Sequence, residues 1–256
     1  MKKASFILFI IILSLNINPL YAQNISGRII YKASVPSTFS LIKKVDSIKT
    51  SEDVKSFTTS LDNGIKQNID KLTYLLDFNQ SEAIYKFRAS LNIENNFGVK
   101  AAKISTGSYN VYYYNTKNSV LLNQTHAFGQ LFLISSDLNA RKWILTQESK
   151  TIGSYLCYKA TSTLVIKNSV GTFYKPVIAW YAPKLPVPYG PNGYGGLPGL
   201  ILQLTEGDFT FYVSKLTLNP KKKVVIKKPV KGKKITHKEF DKIGEESKFN
   251  FGKMRN

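Results

Sequence analysis

Apolar residues along this chain change their spacing twice, and the changes set off one helical segment from a long run of strands. Near the start, Ile25, Ile29 and Ile30 mark a strand over residues 24–31, with Gly27 as a bulge or bend. Then Val54, Phe57, Leu61, Ile65 and Ile69 recur at helical spacing, which predicts a helix over residues 51–69, loosened near Asn63-Gly64. Thr50 and Asp53 read as an acidic variant of a capping box at its start. Beyond residue 72 the period falls to two. Segments 74–78 and 83–91, parted by the polar turn Asn79-Gln80-Ser81, read as a hairpin. Residues 92–108 are polar and read as a loop. Further strands are predicted at 109–116, 118–122, 129–135, 141–147, 154–166, 172–182, 199–205, 209–217 and 222–228. A last short helix follows Thr236, which forms a Thr-x-x-Glu capping box with Glu239 and turns Phe240 and Ile243 inward; beyond Glu246 a frayed tail, 247–256, is expected.

Short alternating strands at regular spacing argue for an antiparallel meander, not a parallel sheet with crossover helices. The expected fold is therefore α+β: a curved, mostly antiparallel sheet, an open half-barrel, with one or two packed helices and one of them in the concavity. Its likeness to the periplasmic lipoprotein carriers is one of fold only.

The first 22 residues change where the protein is expected to work. Met-Lys-Lys, an apolar run from Phe6 to Leu15, and Ala22 before Gln23 form the pattern of a cleaved signal peptide, and the run is too short to span a bilayer. Residues 23–246 then form a single exported domain, periplasmic, outer-membrane-associated or secreted, with no transmembrane segment in the mature chain. A single cysteine, Cys157, rules out an intramolecular disulfide, so the apolar core must carry the fold.

Charge singles out the C-terminal region. The formal net charge is +20, and residues 215–256 hold fourteen basic against four acidic side chains. An exported protein has little occasion to meet nucleic acid. Lys221, Lys222, Lys223, Lys227 and Lys228 are thus candidates for contact with anionic envelope components, and the alternative is a solvated, solubilising edge.

Candidate chemistry is sparse. The two histidines, His126 and His237, stand in unrelated settings, and no metal-binding, nucleophile-elbow or phosphate-loop pattern occurs. No catalytic residue, metal or cofactor is expected. Cys157 reads as a buried structural thiol and would need His126 beside it to act as a nucleophile. Glu206 and Asp208 read as a hairpin turn.

Residues 183–202 are the most specific stretch: five of the ten prolines fall there, interleaved with glycines. Proline fixes φ and glycine alone takes positive φ freely, so this is a shaped backbone. Within it Gly196-Leu197-Pro198-Gly199-Leu200-Ile201, preceded by Ala179-Trp180-Tyr181-Ala182-Pro183, resembles the signature of the GLPGLI family. The likeness extends to residues 152–161 and to Gly232-Lys233-Lys234-Ile235-Thr236. The resemblance implies an exported Bacteroidetes protein without an established activity, and it carries no site. Trp180, Tyr181, Tyr189, Tyr194 and Leu197 are the candidate ligand or partner contacts, because prolines and glycines cover an aromatic poorly. The reading that follows is a non-enzymatic binding or carrier module for an apolar ligand, lipoprotein or peptide. The alternative is an interaction module that docks to an outer-membrane protein through the Pro/Gly loop, and an enzyme ranks third.

Overall fold

A computed structural model describes residues 25–42, 51–89, 96–168 and 171–253. The expected signal peptide and Thr50 lie outside the described residues. Twelve strands form one open sheet in the order β12-β6-β5-β4-β3-β2-β1-β11-β10-β9-β8-β7. They are β1 (Gly27–Ser34), β2 (Thr73–Phe78), β3 (Glu82–Phe87), β4 (Val111–Asn115), β5 (Val120–Ala127), β6 (Gln130–Asp137), β7 (Ile144–Ile152), β8 (Tyr155–Asn168), β9 (Gly171–Ala182), β10 (Leu200–Glu206), β11 (Phe209–Leu218) and β12 (Lys233–Thr236). All neighbours are antiparallel except β12 and β6.

One connection dictates the shape. β6 and β7 lie ten strand positions apart, which in a flat sheet is about 48 Å. Residues 138–143 join them, and seven Cα steps reach at most about 25 Å. The sheet must therefore curl until its two wings face each other. The α+β reading with a mostly antiparallel curved sheet is what the structure contains.

Among the described residues three α-helices accompany the sheet: α1 (Glu52–Asn68), α2 (Phe97–Ser105) and α3 (His237–Lys253). α1 matches its predicted span but does not loosen at Gly64, because that glycine is where α2 crosses. A Cβ on Gly64 would lie 2.8 Å from the Cα of Gly98. α2 occupies part of the stretch read as a loop; Asn96 caps it by accepting from Val99 N at 3.0 Å. The pair closes one end of the concavity: Ile65 and Ile69 join the core, and Tyr74 Oη reaches Thr106 Oγ1 at 2.6 Å and Ser108 Oγ at 2.9 Å. At α3 the capping box is present, with Thr236 N donating to Glu239 Oε2 at 2.6 Å and Glu239 N to Thr236 Oγ1 at 3.2 Å. The helix continues past Glu246, where a frayed tail was expected, to Lys253.

The concavity is filled by the Pro/Gly segment and not by α1. Residues 189–195 form a miniature hairpin: Tyr189 bridges Gly195, Gly196 N donates to Pro188 O, and Tyr194 N closes the turn on Pro191 O. Asn192 and Gly193 at its tip both have positive φ, the pairing such turns require. Side chains from the strands and from the β6–β7 connection satisfy the carbonyls of this buried segment. Tyr114 Oη donates to Gly190 O at 2.8 Å, Trp143 Nε1 to Gly195 O at 2.9 Å and Tyr31 Oη to Ile201 O at 2.6 Å, just inside β10. The chain then enters β10 through Gly199, at φ 157°, where a Cβ would meet Ala182 O at 2.4 Å. β10 is apolar on both faces, as expected, but a bulge between Ile201 and Gln203 interrupts its alternation, and Gly190 of the hairpin presses on Ile201.

The run 222–228 is not a strand. Val224 is buried, and Ile226 packs on Tyr113, Leu122 and Leu133, so the segment crosses the outer face of β4-β5-β6 without joining an edge.

Two substitutions test this packing. Gly64→Ala should destabilise the protein by about 1–3 kcal/mol in chemical denaturation, although alanine alone would favour the helix, because the two helix backbones must part. Gly199→Ala should cost at least as much, since strain at that φ adds to a backbone clash.

Candidate functional site

Where the hairpin stops, the two wings of the sheet leave a cleft of about 1020 Å³. One wall comes from β5 and β6 with Leu121, Asn123, Ile134 and Ser136, and the other from β7 and β8 with Ile144, Ser162, Leu164 and Val165. The tip of the Pro/Gly hairpin, the end of α2 and Arg141 in the β6–β7 connection complete it.

Its floor is polar and ordered. Tyr194 is 3% exposed and donates from its hydroxyl to Glu206 Oε2 at 2.7 Å. Burial, helped by the adjacent Glu206 carboxylate, pushes the Tyr194 hydroxyl far above its ordinary range, so it keeps its proton and donates. The Arg141 guanidinium lies over the Tyr194 ring, 4.3 Å from its centroid, and Trp143 packs on the same ring at 6.2 Å. Tyr112 fills the space that a side chain at Gly193 would need. The side-chain carbonyl oxygens of Asn123 and Asn192 are enclosed and have no hydrogen-bond partner within the protein. Such acceptors ordinarily find a donor, and both residues line the cleft. The exposed lining is mixed: Ile104, 69% exposed, Ile144, 68% exposed, and Val165 stand among Asp137, Lys142, Thr163 and His237.

Of the five contact residues expected from sequence, the cleft takes only Tyr194. Tyr189 is fully buried between Phe78 and Tyr114, and Leu197 is a core residue. The expectation that prolines and glycines would leave these rings uncovered fails because the curled sheet covers them. Tyr181 is buried beside Tyr158; Trp180 is half-buried, with Lys150 Nζ 4.2 Å from its ring centroid and 2.9 Å from Gln203 Oε1. Lys221, Lys222, Lys223, Lys227 and Lys228 are exposed on the outer face, away from the cleft; Lys228 Nζ lies 5.9 Å from the Tyr113 ring centroid. Cys157 is buried on β8 and donates weakly to Tyr155 O, whereas His126 is exposed on β5. Burial pushes the Cys157 thiol up to about 11. Among the described residues no cluster of three His, Cys, Asp or Glu side chains could hold a metal. Asn123, Arg141 and Asn192 escaped the sequence reading. Glu206 was read as part of a turn, and the turn is made by Gly207 and Asp208. The usable signal was Glu206 itself, an acid at the end of a strand that begins Leu200-Ile201-Leu202.

A family model described as a protein of unknown function, Porph_ging, matches residues 170–203, the stretch from β9 through the Pro/Gly segment into β10. No curated protein matches the sequence. Among solved structures the chain is similar to PNGF-II in two crystal forms. In the C2 form the identity is 15% and the TM-score 0.50, over 86% of this chain and 32% of that one. In the P21 form the values are 14% and 0.51, over 86% and 33%. This chain spans about a third of PNGF-II. At such identity the likeness concerns the fold alone. Among the described residues no helix is long and apolar enough to cross a membrane, which says nothing of strands.

Burial of ionisable groups predicts an alkaline transition. Tyr74 and Tyr112 are pushed up to about 12 and Cys157 to about 11, against about 10 and 9 when unfolded. The unfolded chain thus sheds these protons first. Their contribution to stability is complete below pH about 9 and is lost as pH rises through about 12. Tyrosinate absorbance should rise together with loss of near-UV circular dichroism, and titration of these groups in a still-folded protein would contradict the burial.

Proposed function

We propose that this protein is a non-enzymatic binding module of the cell envelope, and that its cleft receives an extended ligand with N–H or O–H donors on one side and apolar groups on the other. A peptide, or the acylated N-terminal segment of a lipoprotein, has that chemistry. The observation that carries the reading is a cleft of about 1020 Å³ whose lining joins polar side chains, Asn123, Asn192 and Tyr194, to exposed aliphatic ones, Ile104, Ile144 and Val165. A purely apolar ligand would leave the polar part of that lining unmatched. Docking through the Pro/Gly loop is the weaker alternative, since Tyr189, Tyr194 and Leu197 are already committed to the interior. An enzymatic reading finds no support in Cys157 and His126, since the thiol is buried and held in its neutral form while His126 is exposed.

Envelope location is supported by the basic and apolar N-terminal sequence ending at Ala22. Sequencing the N-terminus of the product from the native host should return Gln23, and an intact Met1 on the accumulated protein would remove the envelope assignment.

Native mass spectrometry of protein purified gently from the envelope should reveal a bound peptide or acylated species. Asn123→Leu, which keeps volume and removes an acceptor, should weaken its retention about five- to tenfold. Ile144→Ser with Val165→Ser should do so as well. A ligand-free native protein, or retention unchanged in both variants, would sink the reading.

A further inference from the structure

From Phe209 to Lys238 the chain has no acidic residue and ten lysines. The structure fastens the central part of this stretch to the outer face of the sheet, the side opposite the cleft. Val224 is buried, Ile226 packs on Tyr113, Leu122 and Leu133, Gln124 Nε2 donates to Lys231 O at 2.8 Å, and β12 pairs with β6 from Lys233 to Thr236. Lys221, Lys222, Lys223, Lys227, Lys228, Lys231, Lys233 and Lys234 are all exposed, and none forms an ion pair with a described residue. Two valines stand among them almost uncovered, Val225 at 68% and Val230 at 70%. Beside Val230 a groove of about 530 Å³ has Leu122, Leu133 and Ile235 along it, with Ser135, Lys228, Lys234, Thr236 and Glu239 supplying a polar half of its lining. The acid at this groove, Glu239, is held by the Thr236 cap; Asp241 and Glu246 on α3 lie within reach of His237 and Lys242.

We propose that the lysine-rich segment 221–234 is a membrane-contact surface that rests on a bilayer containing anionic phospholipid, with Val225 and Val230 entering the headgroup region. The charge decides the sign of the partner: a field this one-sided, with no internal counter-charge along thirty residues, is complementary to a negative surface. The exposed valines decide its kind. A soluble polyanion can neutralise lysines but offers no apolar phase, whereas the acyl boundary removes exposed aliphatic surface from water while the lysine stems reach up to the phosphates. Backing by the sheet matters too. A segment already ordered against Tyr113, Leu122 and Leu133 loses little conformational freedom on contact. This surface is independent of the cleft proposal, for the two lie on opposite faces of the sheet.

The test is sedimentation of the mature chain with vesicles of phosphatidylcholine alone and of phosphatidylcholine mixed with phosphatidylglycerol. Binding is expected only to the mixed vesicles and should fade as salt is raised. Each lysine near an anionic surface is worth roughly a fivefold change, so Lys221→Gln, Lys222→Gln, Lys223→Gln and Lys227→Gln together should weaken binding by about two orders of magnitude or more. Val225→Ser with Val230→Ser keeps every charge and should still weaken binding severalfold. Both variants change exposed side chains, and an unchanged circular dichroism spectrum and melting midpoint will establish that they fold. Absence of binding to the mixed vesicles overturns the proposal. So does a valine variant that binds like the parent, or tighter binding to soluble heparin than to the mixed vesicles, either of which would make the surface a polyanion site.

Discussion

A curled antiparallel sheet encloses a concavity that must be filled, and here the filler is a hairpin of irregular backbone. Burying such a segment is costly unless its polar groups are met, because prolines cannot donate and the loop cannot join a ladder. Tyr114 and Tyr31 from the sheet and Trp143 from the β6–β7 connection solve this by donating to the Gly190, Ile201 and Gly195 carbonyls. The sheet that encloses the Pro/Gly segment thus also meets its polar groups, so the shape of the molecule and the conformation of that segment depend on each other.

The cleft follows from that arrangement. Residues 138–143 bring β6 and β7 close enough to face one another, and the hairpin ends before it has filled the space between them. Its last polar groups, at Asn192 and Tyr194, become the floor. Tyr194 is satisfied by Glu206 from β10, while Asn192, and Asn123 from β5, are left with unused acceptors. The site is built from parts of the chain far apart in sequence, with one short turn at its centre.

The outer face tells a different story. Its apolar residues, Tyr113, Leu122 and Leu133, are covered by Ile226 from a lysine-rich segment, so the same stretch that completes the packing on one side presents unbalanced charge on the other. Two surfaces of unlike chemistry thus occupy opposite faces of one sheet, a polar-floored cleft inside and a basic, partly aliphatic strip outside.

How much of this could be read from the chain alone depended on how local the physics was. Helical spacing placed α1 within a residue or so, the Thr236–Glu239 box placed the start of α3, and period-two alternation located nearly every strand, because each is a property of neighbours along the chain. α2 was missed, since Gly98 weakens its helical signal and is there to let α1 approach. Val224-Val225-Ile226 looked like a strand, since alternation cannot tell a segment lying across a sheet from one paired at its edge. Burial of Tyr189 and Leu197, and the meeting of Asn123, Asn192, Tyr194 and Glu206, depend on curvature. The sequence by itself therefore determined the elements, the antiparallel class and the surplus of charge. Tertiary structure alone decided which aromatics are core and which polar groups share a cleft, because a six-residue connection between distant strands is a constraint on closure that no local pattern records.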